Sequence, residues 1–240
     1  MSMKKYENIY KNIKAQIESG KYPANTYLPS ENSLVSVYNC TRNTIRRALS
    51  MLKLEGYIVL QHGKGAMVVY EPQFSTSLFT IGAIESLSEA TQRNNKTLQT
   101  KVLEFKEIIA DEAISMETGF SVGEELYFIK RLRIIDDEPM IIDENLFLKS
   151  EVRYLDEKIA GSSIYNYLEN ELHMIITVSR RRLAAEKATK DDIRYMKLKN
   201  LNYVLVNRGQ VFNSKGIMFE YTQSRHHPTK VCFIETAIRN

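Results

Sequence analysis

Apolar residues recur first at helical and then at strand spacing along this chain. Tyr6, Ile9, Tyr10, Ile13 and Ile17 return every three or four positions, which predicts a helix over residues 6–20 with one buried face. Gly20 and Pro23 end it. A second helix is expected to start at Leu28-Pro29-Ser30, with Ser30 as N-cap and Glu31 in the first turn, where the helix dipole favours negative charge. Leu34, Val35 and Tyr38 give it an apolar side, and Asn39-Cys40 makes the turn. A third helix starts at Thr41, whose hydroxyl can cap the Thr44 amide; Ile45, Ala48, Leu49 and Leu52 form its buried stripe, and Gly56 stands just past its last turn. The spacing then changes. Two short strands, 57–60 and 66–70, around the tip Gln61-His62-Gly63-Lys64-Gly65 predict a hairpin. Three helices followed by a hairpin have the layout of a winged helix-turn-helix.

Residues 71–78 carry a proline and small polar residues and suit a linker. They divide the chain into a domain over 1–71, a linker over 72–78 and a second domain over 79–240. In the second domain, strands 126–135 and 140–148 flank the turn Asp136-Asp137-Glu138-Pro139, and strands 203–212 and 217–225 flank Asn213-Ser214-Lys215-Gly216. Such short turns imply antiparallel pairing. Helices are expected at 82–94, 111–117, 163–172 and 189–198, the last capped by Thr189 with Asp192 three residues on. The expected class is α+β around an antiparallel sheet.

With 43% hydrophobic and 26% charged residues in 240, the chain reads as globular. Its net charge of +4 says little until it is divided. Residues 1–71 hold ten Lys+Arg against five Asp+Glu, whereas the remainder is close to neutral. A compact basic module joined to a neutral one predicts that the first binds a polyanion and the second does something else. Met1 to Lys5 are polar and basic with no apolar run behind them, which predicts no signal peptide, and no stretch is long and apolar enough to span a bilayer. A cytoplasmic protein is expected. The two cysteines, Cys40 and Cys232, are far apart and suit reduced, packed thiols; they give no metal-ligand spacing.

The polar side of the third helix carries Arg42, Asn43, Arg46, Arg47 and Ser50. Arg42 and Arg46 lie one turn apart, so both can enter a major groove, where the guanidinium fork matches guanine O6 and N7. Thr41, Thr44 and the helix N-terminal amides suit phosphate oxygens. At the hairpin tip, Gly63 and Gly65 permit close backbone approach beside the charge of Lys64. Any amphipathic basic helix has a solvated charged face; the order of capped helix, turn, basic helix and glycine-tipped hairpin is what favours DNA.

Leu28-Pro29-Ser30-Glu31, Thr41-Arg42-Asn43-Thr44-Ile45-Arg46-Arg47-Ala48-Leu49, Glu55-Gly56-Tyr57-Ile58 and Gly63-Lys64-Gly65 resemble the signature of the GntR family of bacterial repressors, over almost all of residues 4–70. The resemblance implies base or phosphate contacts from Asn32, Thr41, Arg42, Asn43, Thr44, Arg46, Gly63 and Lys64. Many relatives carry a basic residue where this chain has Asn32, so a charged groove contact is not expected there. The resemblance also implies a homodimer on a near-palindromic double-stranded operator.

Roughly residues 79–240 resemble the UTRA ligand-sensing domain of the HutC branch, which shares its fold with chorismate lyases. Lys130-Arg131-Leu132-Arg133, Ser162-Ser163-Ile164-Tyr165 and Phe219-Glu220-Tyr221-Thr222-Gln223-Ser224-Arg225 carry the likeness. Arg131 and Arg133, two apart in a strand, share a face and would repel unless solvated, paired with acids or placed to hold an anion. Ser162 or Ser163 starts a helix, Tyr165 adds a hydroxyl, and Glu144 and Glu220 can accept from sugar hydroxyls. With Arg225, these are the expected effector-binding residues, for phosphate at one end and polyol at the other. Ordinary cross-strand pairing of the arginines with Glu124, Glu125 or Glu144 is the competing account, and Arg180-Arg181-Arg182 suits a solvated strand end. Tyr221 to Pro228 and the opening Lys5 to Lys14 are most similar to trehalose operon repressors, for which the implied effector is trehalose 6-phosphate; glucosamine 6-phosphate is the alternative phosphosugar.

No Gly-x-Ser-x-Gly, Gly-x-x-x-x-Gly-Lys or His-Glu-x-x-His occurs, so an enzyme is not expected; the adjacent His226 and His227, before Pro228, suit a turn, with His226 free to line a pocket. An architectural DNA binder would carry more positive charge on its DNA module. No cofactor or metal is expected.

Overall fold

The computed structural model describes residues 4–70, 77–80 and 84–234, which fall into two compact units, the first through residue 70 and the second from residue 77. In the first, α1 (Lys5–Glu18) buries Ile9, Tyr10, Ile13 and Ile17, and Gly20 behind it takes φ +77°, a conformation open to glycine. Ser30 Oγ accepts from the Ser33 amide to cap α2 (Glu31–Tyr38), which ends on Asn39 in the left-handed region at φ 46°. Thr41 caps α3 (Arg42–Leu54) through the Thr44 amide, and Ile45, Ala48, Leu49 and Leu52 are buried. The hairpin of β1 (Ile58–Gln61) and β2 (Gly65–Val68) follows, with Gln61 opposite Gly65.

The second unit is built on a six-stranded antiparallel sheet in the order β4-β5-β6-β9-β8-β7. Its strands are β4 (Leu98–Ile109), β5 (Glu125–Ile135), β6 (Glu138–Leu148), β7 (Ile176–Lys187), β8 (Tyr203–Asn213) and β9 (Met218–His226). The β5–β6 turn is tighter than the sequence suggests: Asp136 and Asp137, at φ 50° and 62°, form a two-residue loop. A small parallel pair, β3 (Ser77–Thr80) with β10 (Val231–Ile234), joins the ends of the unit. Of the expected linker, residues 72–76 lie outside the described residues, while 77 and 78 belong to β3.

Two helices and four strands depart from expectation, the strands being β3 and β10 of the parallel pair and the two outer strands of the sheet. The helix expected over 82–94 is α4 (Leu87–Arg93), because Ser86 and Glu89 cap each other's backbone amides and set its start; residues 82 and 83 lie outside the described residues. A short helix, α6 (Glu157–Ala160), has no counterpart in the prediction. The outer strands β4 and β7, both half-exposed, have no apolar run to mark them in the sequence, since an edge strand needs none. The helices α5 (Glu112–Thr118), α7 (Ile164–Asn170) and α8 (Lys190–Met196) match three predicted ones.

Side chains alternate between the sheet's two faces. On one, Leu132, Ile142, Val204 and Val206 pack with Met196 of α8. On the other, Tyr127, Ile129, Phe147 and Val211 pack beneath α6 and α7 at one end. Ile135, Ile141 and Val231 join Phe79 and Phe233 at the opposite end. Between these two apolar clusters the same face turns polar.

Candidate functional site

In the first unit, α3 presents Arg42, Asn43 and Arg46 to solvent, on the side opposite its buried stripe. Arg46 Nε donates to Glu31 at 3.0 Å, Arg42 Nε lies 4.0 Å from the same carboxylate, and Arg42 Nη2 donates to Asn32 Oδ1. The arginine side chains remain 62% and 57% exposed, so these links lie on the surface, where such pairs contribute about 0–1 kcal/mol and yield readily to phosphate. They hold Arg42 beside Asn32 and Glu31, and Arg46 beside Glu31, at the start of α2. Thr41 Oγ1 is hydrogen-bonded to Thr44 Oγ1 at 2.9 Å, and Gly63 and Lys64 are exposed at the hairpin tip. Arg47 sits instead over the Tyr6 ring, 4.4 Å from its centroid, and braces α3 on α1.

In the second unit, a cavity of about 220 Å³ opens on the polar stretch of the sheet face that α7 covers. Pairing register stacks its floor in rows: Arg131 opposite Asp143 opposite Ser224, then Arg133 opposite Ile141 opposite His226. Asn145, Glu220 and Thr222 continue the floor, and Ser163 and Tyr165 of α7 close over it.

Arg131 and Arg133 are 6% and 4% exposed. Arg131 Nη2 donates to Asn145 Oδ1 at 2.9 Å, yet its Nε has no partner among the described residues, and neither have Nε and Nη1 of Arg133. Asp143, the nearest acid, stands 3.9 Å from Arg131 and 3.6 Å from Arg133. Burial, and then the Arg131 charge, push Arg133 below its ordinary range, to about 9. Two buried guanidiniums with idle N–H groups are costly, and an anion in the cavity would satisfy them. Glu220 Oε2 accepts from Tyr165 at 2.7 Å and Oε1 from Asn145 at 2.8 Å. Burial raises Glu220 to about 7 despite these donors.

Five of the eight expected effector residues thus meet in one cavity: Arg131, Arg133, Ser163, Tyr165 and Glu220. Three do not. Glu144 faces the other side of the sheet and pairs with Lys130 at 2.9 Å, because it neighbours Asp143 in an alternating strand. Arg225 also lies on that side, five residues from Glu220, with Nε 2.9 Å from Asp192 of α8. The Ser162 hydroxyl is spent on the Ile159 carbonyl at 2.8 Å, while Ser163 is the N-cap of α7. Arg180-Arg181-Arg182 lies within β7 rather than at its end, and Arg181, donating to Ser179 Oγ at 3.0 Å, lines the cavity. Asp143, Asn145, Thr222, Ser224 and Arg181 were not anticipated.

A winged helix-turn-helix in one chain with a separate small-molecule cavity is the make-up of a ligand-responsive transcription regulator. This chain belongs to the GntR family of bacterial regulatory proteins and carries a UTRA domain: the gntR family matches residues 5–68 and the UTRA domain residues 93–231. It is 33% identical over 239 residues to the HTH-type transcriptional regulator TreR of Bacillus subtilis, covering 100% of this chain and 99% of that one. The HTH-type transcriptional repressor NagR of the same organism is 24% identical over 229 residues, 95% of this chain and 93% of that one. Among solved structures, the effector-binding domain of the B. subtilis trehalose repressor is similar with a TM-score of 0.54 and 30% identity, over 59% of this chain and 99% of that one. The possible regulator YydK of B. subtilis shares the fold, with a TM-score of 0.83 at 22% identity over 98% of this chain and 100% of that one. Among the described residues no helix is long and apolar enough to cross a membrane.

Proposed function

We propose that this protein is the repressor of a sugar-utilisation operon, released from its operator by a phosphorylated sugar, trehalose 6-phosphate. As a cytoplasmic homodimer it would place one α3 in the major groove of each operator half-site, with Arg42, Asn43 and Arg46 reading base edges and Thr41, Thr44, Asn32, Gly63 and Lys64 meeting the backbone. The observation that carries the effector assignment is the pair of buried guanidiniums, Arg131 and Arg133, with unpartnered N–H groups at one cavity. A dianionic phosphate complements them. Glu220, Asn145, Tyr165 and Ser163 offer the mixed acceptors and donors that sugar hydroxyls need. The helix N-terminus at Ser163 adds little, since α7 has only seven residues. Kinship with TreR favours a trehalose phosphate over glucosamine 6-phosphate.

The test is operator binding by fluorescence anisotropy, with the DNA upstream of the protein's own gene and neighbouring sugar-uptake genes. Binding should prefer one inverted repeat and weaken at least tenfold with trehalose 6-phosphate, but not with trehalose or glucosamine 6-phosphate. Equal affinity for unrelated duplexes would refute the operator assignment. Indifference to every phosphosugar would refute the effector assignment.

A further inference from the structure

The cavity holds a group that the phosphate-and-polyol account leaves idle. His226, the last residue of β9, is 4% exposed and lines the cavity, and neither ring nitrogen has a partner among the described residues. Two aromatic rings frame it: Phe233 stands edge-on with centroids 4.9 Å apart, and Phe79 is tilted at 5.7 Å. Both phenylalanines also line the cavity. By register His226 shares a row with Arg133, across Ile141, which places the two backbones about 10 Å apart at ordinary strand spacing. Glu220 stands six residues away on the same strand, about 20 Å along it.

Burial holds the imidazole in its neutral form, lowered to about 4, against the opposing pull of the Asp143 carboxylate. A neutral imidazole offers one donor and one acceptor. Its complement is a group that does both, a hydroxyl, and the apolar rings on either side suit the C–H faces of a sugar ring. A buried polar side chain left idle is rare enough to point to a missing ligand.

We infer that His226, with Phe79 and Phe233 as walls, is a specificity-determining contact that hydrogen-bonds a hydroxyl of the effector's sugar, at the Arg133 end of the cavity. The inference rests on the phosphosugar assignment above. It assigns His226 to the sugar and leaves the phosphate to the two arginines.

Calorimetric titration of trehalose 6-phosphate into the full-length protein tests it, with His226→Phe and His226→Asn beside the wild type. His226→Phe keeps the ring and removes both polar atoms; the dissociation constant should rise about tenfold, the effect of one buried hydrogen bond. His226→Asn should recover part of that loss. In the wild type, the ring ¹⁵N resonances of His226 should move on adding the sugar phosphate and remain those of a neutral imidazole. If His226→Phe binds like the wild type, the inference fails while the phosphosugar assignment stands. The same holds if the ring becomes imidazolium in the complex, because His226 would then be answering the phosphate. If the wild type binds no phosphosugar at all, both fail together.

Discussion

Asp143 lies 3.6 Å from Arg133 Nε, within reach of the charge but beyond a hydrogen bond, while its other oxygen accepts from Ser224 Oγ at 2.6 Å. One carboxylate, turned toward β9, thus serves two buried guanidiniums without hydrogen-bonding either. The free protein carries this imbalance in the cavity, and bound anion would remove it.

Replacing Arg133 by a residue of similar length and no charge tests that relationship. Arg133→Met should leave the melting temperature of the free protein unchanged or higher, since a buried group with idle donors is exchanged for an apolar one. Affinity for trehalose 6-phosphate should fall by about 3 kcal/mol, roughly a hundredfold. Differential scanning calorimetry and isothermal titration read the two effects separately. A clear fall in stability would show that Arg133 is paired in solution and that the cavity is not waiting for an anion.

On α3, Arg46→Ala should cost about 1–3 kcal/mol of specific operator binding and should relax discrimination at one base position per half-site. Fold stability should change by less than about 1 kcal/mol, because the Glu31 pair that is lost lies on the surface. Phosphosugar affinity should not change. Anisotropy titrations against the operator and single-base variants, with a melting curve for each protein, check all three; joint loss of DNA and effector binding would mean the sites are not separate.

Much of this was legible in the chain because local rules and tertiary structure agree. Ser30, Thr41, Thr189 and Gly56 occupy the cap and turn positions that their chemistry prescribes. The cavity was legible in part. Arg131 and Arg133 share a face by parity alone, and by the same rule Glu220, five residues from Arg225, cannot share one with it in a regular strand. Glu144 is different. Parity within β6 excludes nothing until the register with β5 is known, and the bulge between Arg133 and Ile134 shifts that register. The alternating polar set Glu220, Thr222, Ser224 and His226 was a usable signal for the floor. Phe79, from a remote segment, left none.

Arg225 carries a structural prediction in place of a ligand-binding one. It joins Asp192, which is fully buried, and also reaches Glu186 and the Lys187 carbonyl. Arg225→Ala would leave Asp192 buried without its guanidinium, so stability should fall by about 3–5 kcal/mol. Whatever fraction stays folded should bind trehalose 6-phosphate with wild-type affinity. Urea denaturation and calorimetry measure the two quantities. A stable variant with lost effector binding would return Arg225 to the effector site.

Glu220 and His226 share the cavity but titrate in opposite senses. Burial raises Glu220 from 4.5 to about 7, so in that window the native state keeps a proton that the unfolded chain has released, and stability falls as pH rises. Burial lowers His226 from 6.5 to about 4, so in that window the unfolded chain takes a proton that the native state refuses, and stability falls as pH drops. Between pH 4.5 and 6.5 the two effects oppose each other, each worth at most about 1.4 kcal/mol per pH unit, and their contributions should nearly cancel. Glu220→Gln removes the first, so its stability relative to wild type should decline as pH falls from 6.5 to 4.5. His226→Phe removes the second, so its relative stability should decline as pH rises across the same interval. Both substitutions also alter packing, but that contribution is independent of pH and drops out of the slopes. Urea midpoints at half-unit steps read the slopes directly. If both variants run parallel to wild type, neither group changes its proton affinity on folding, and the cavity is wetter than its burial implies.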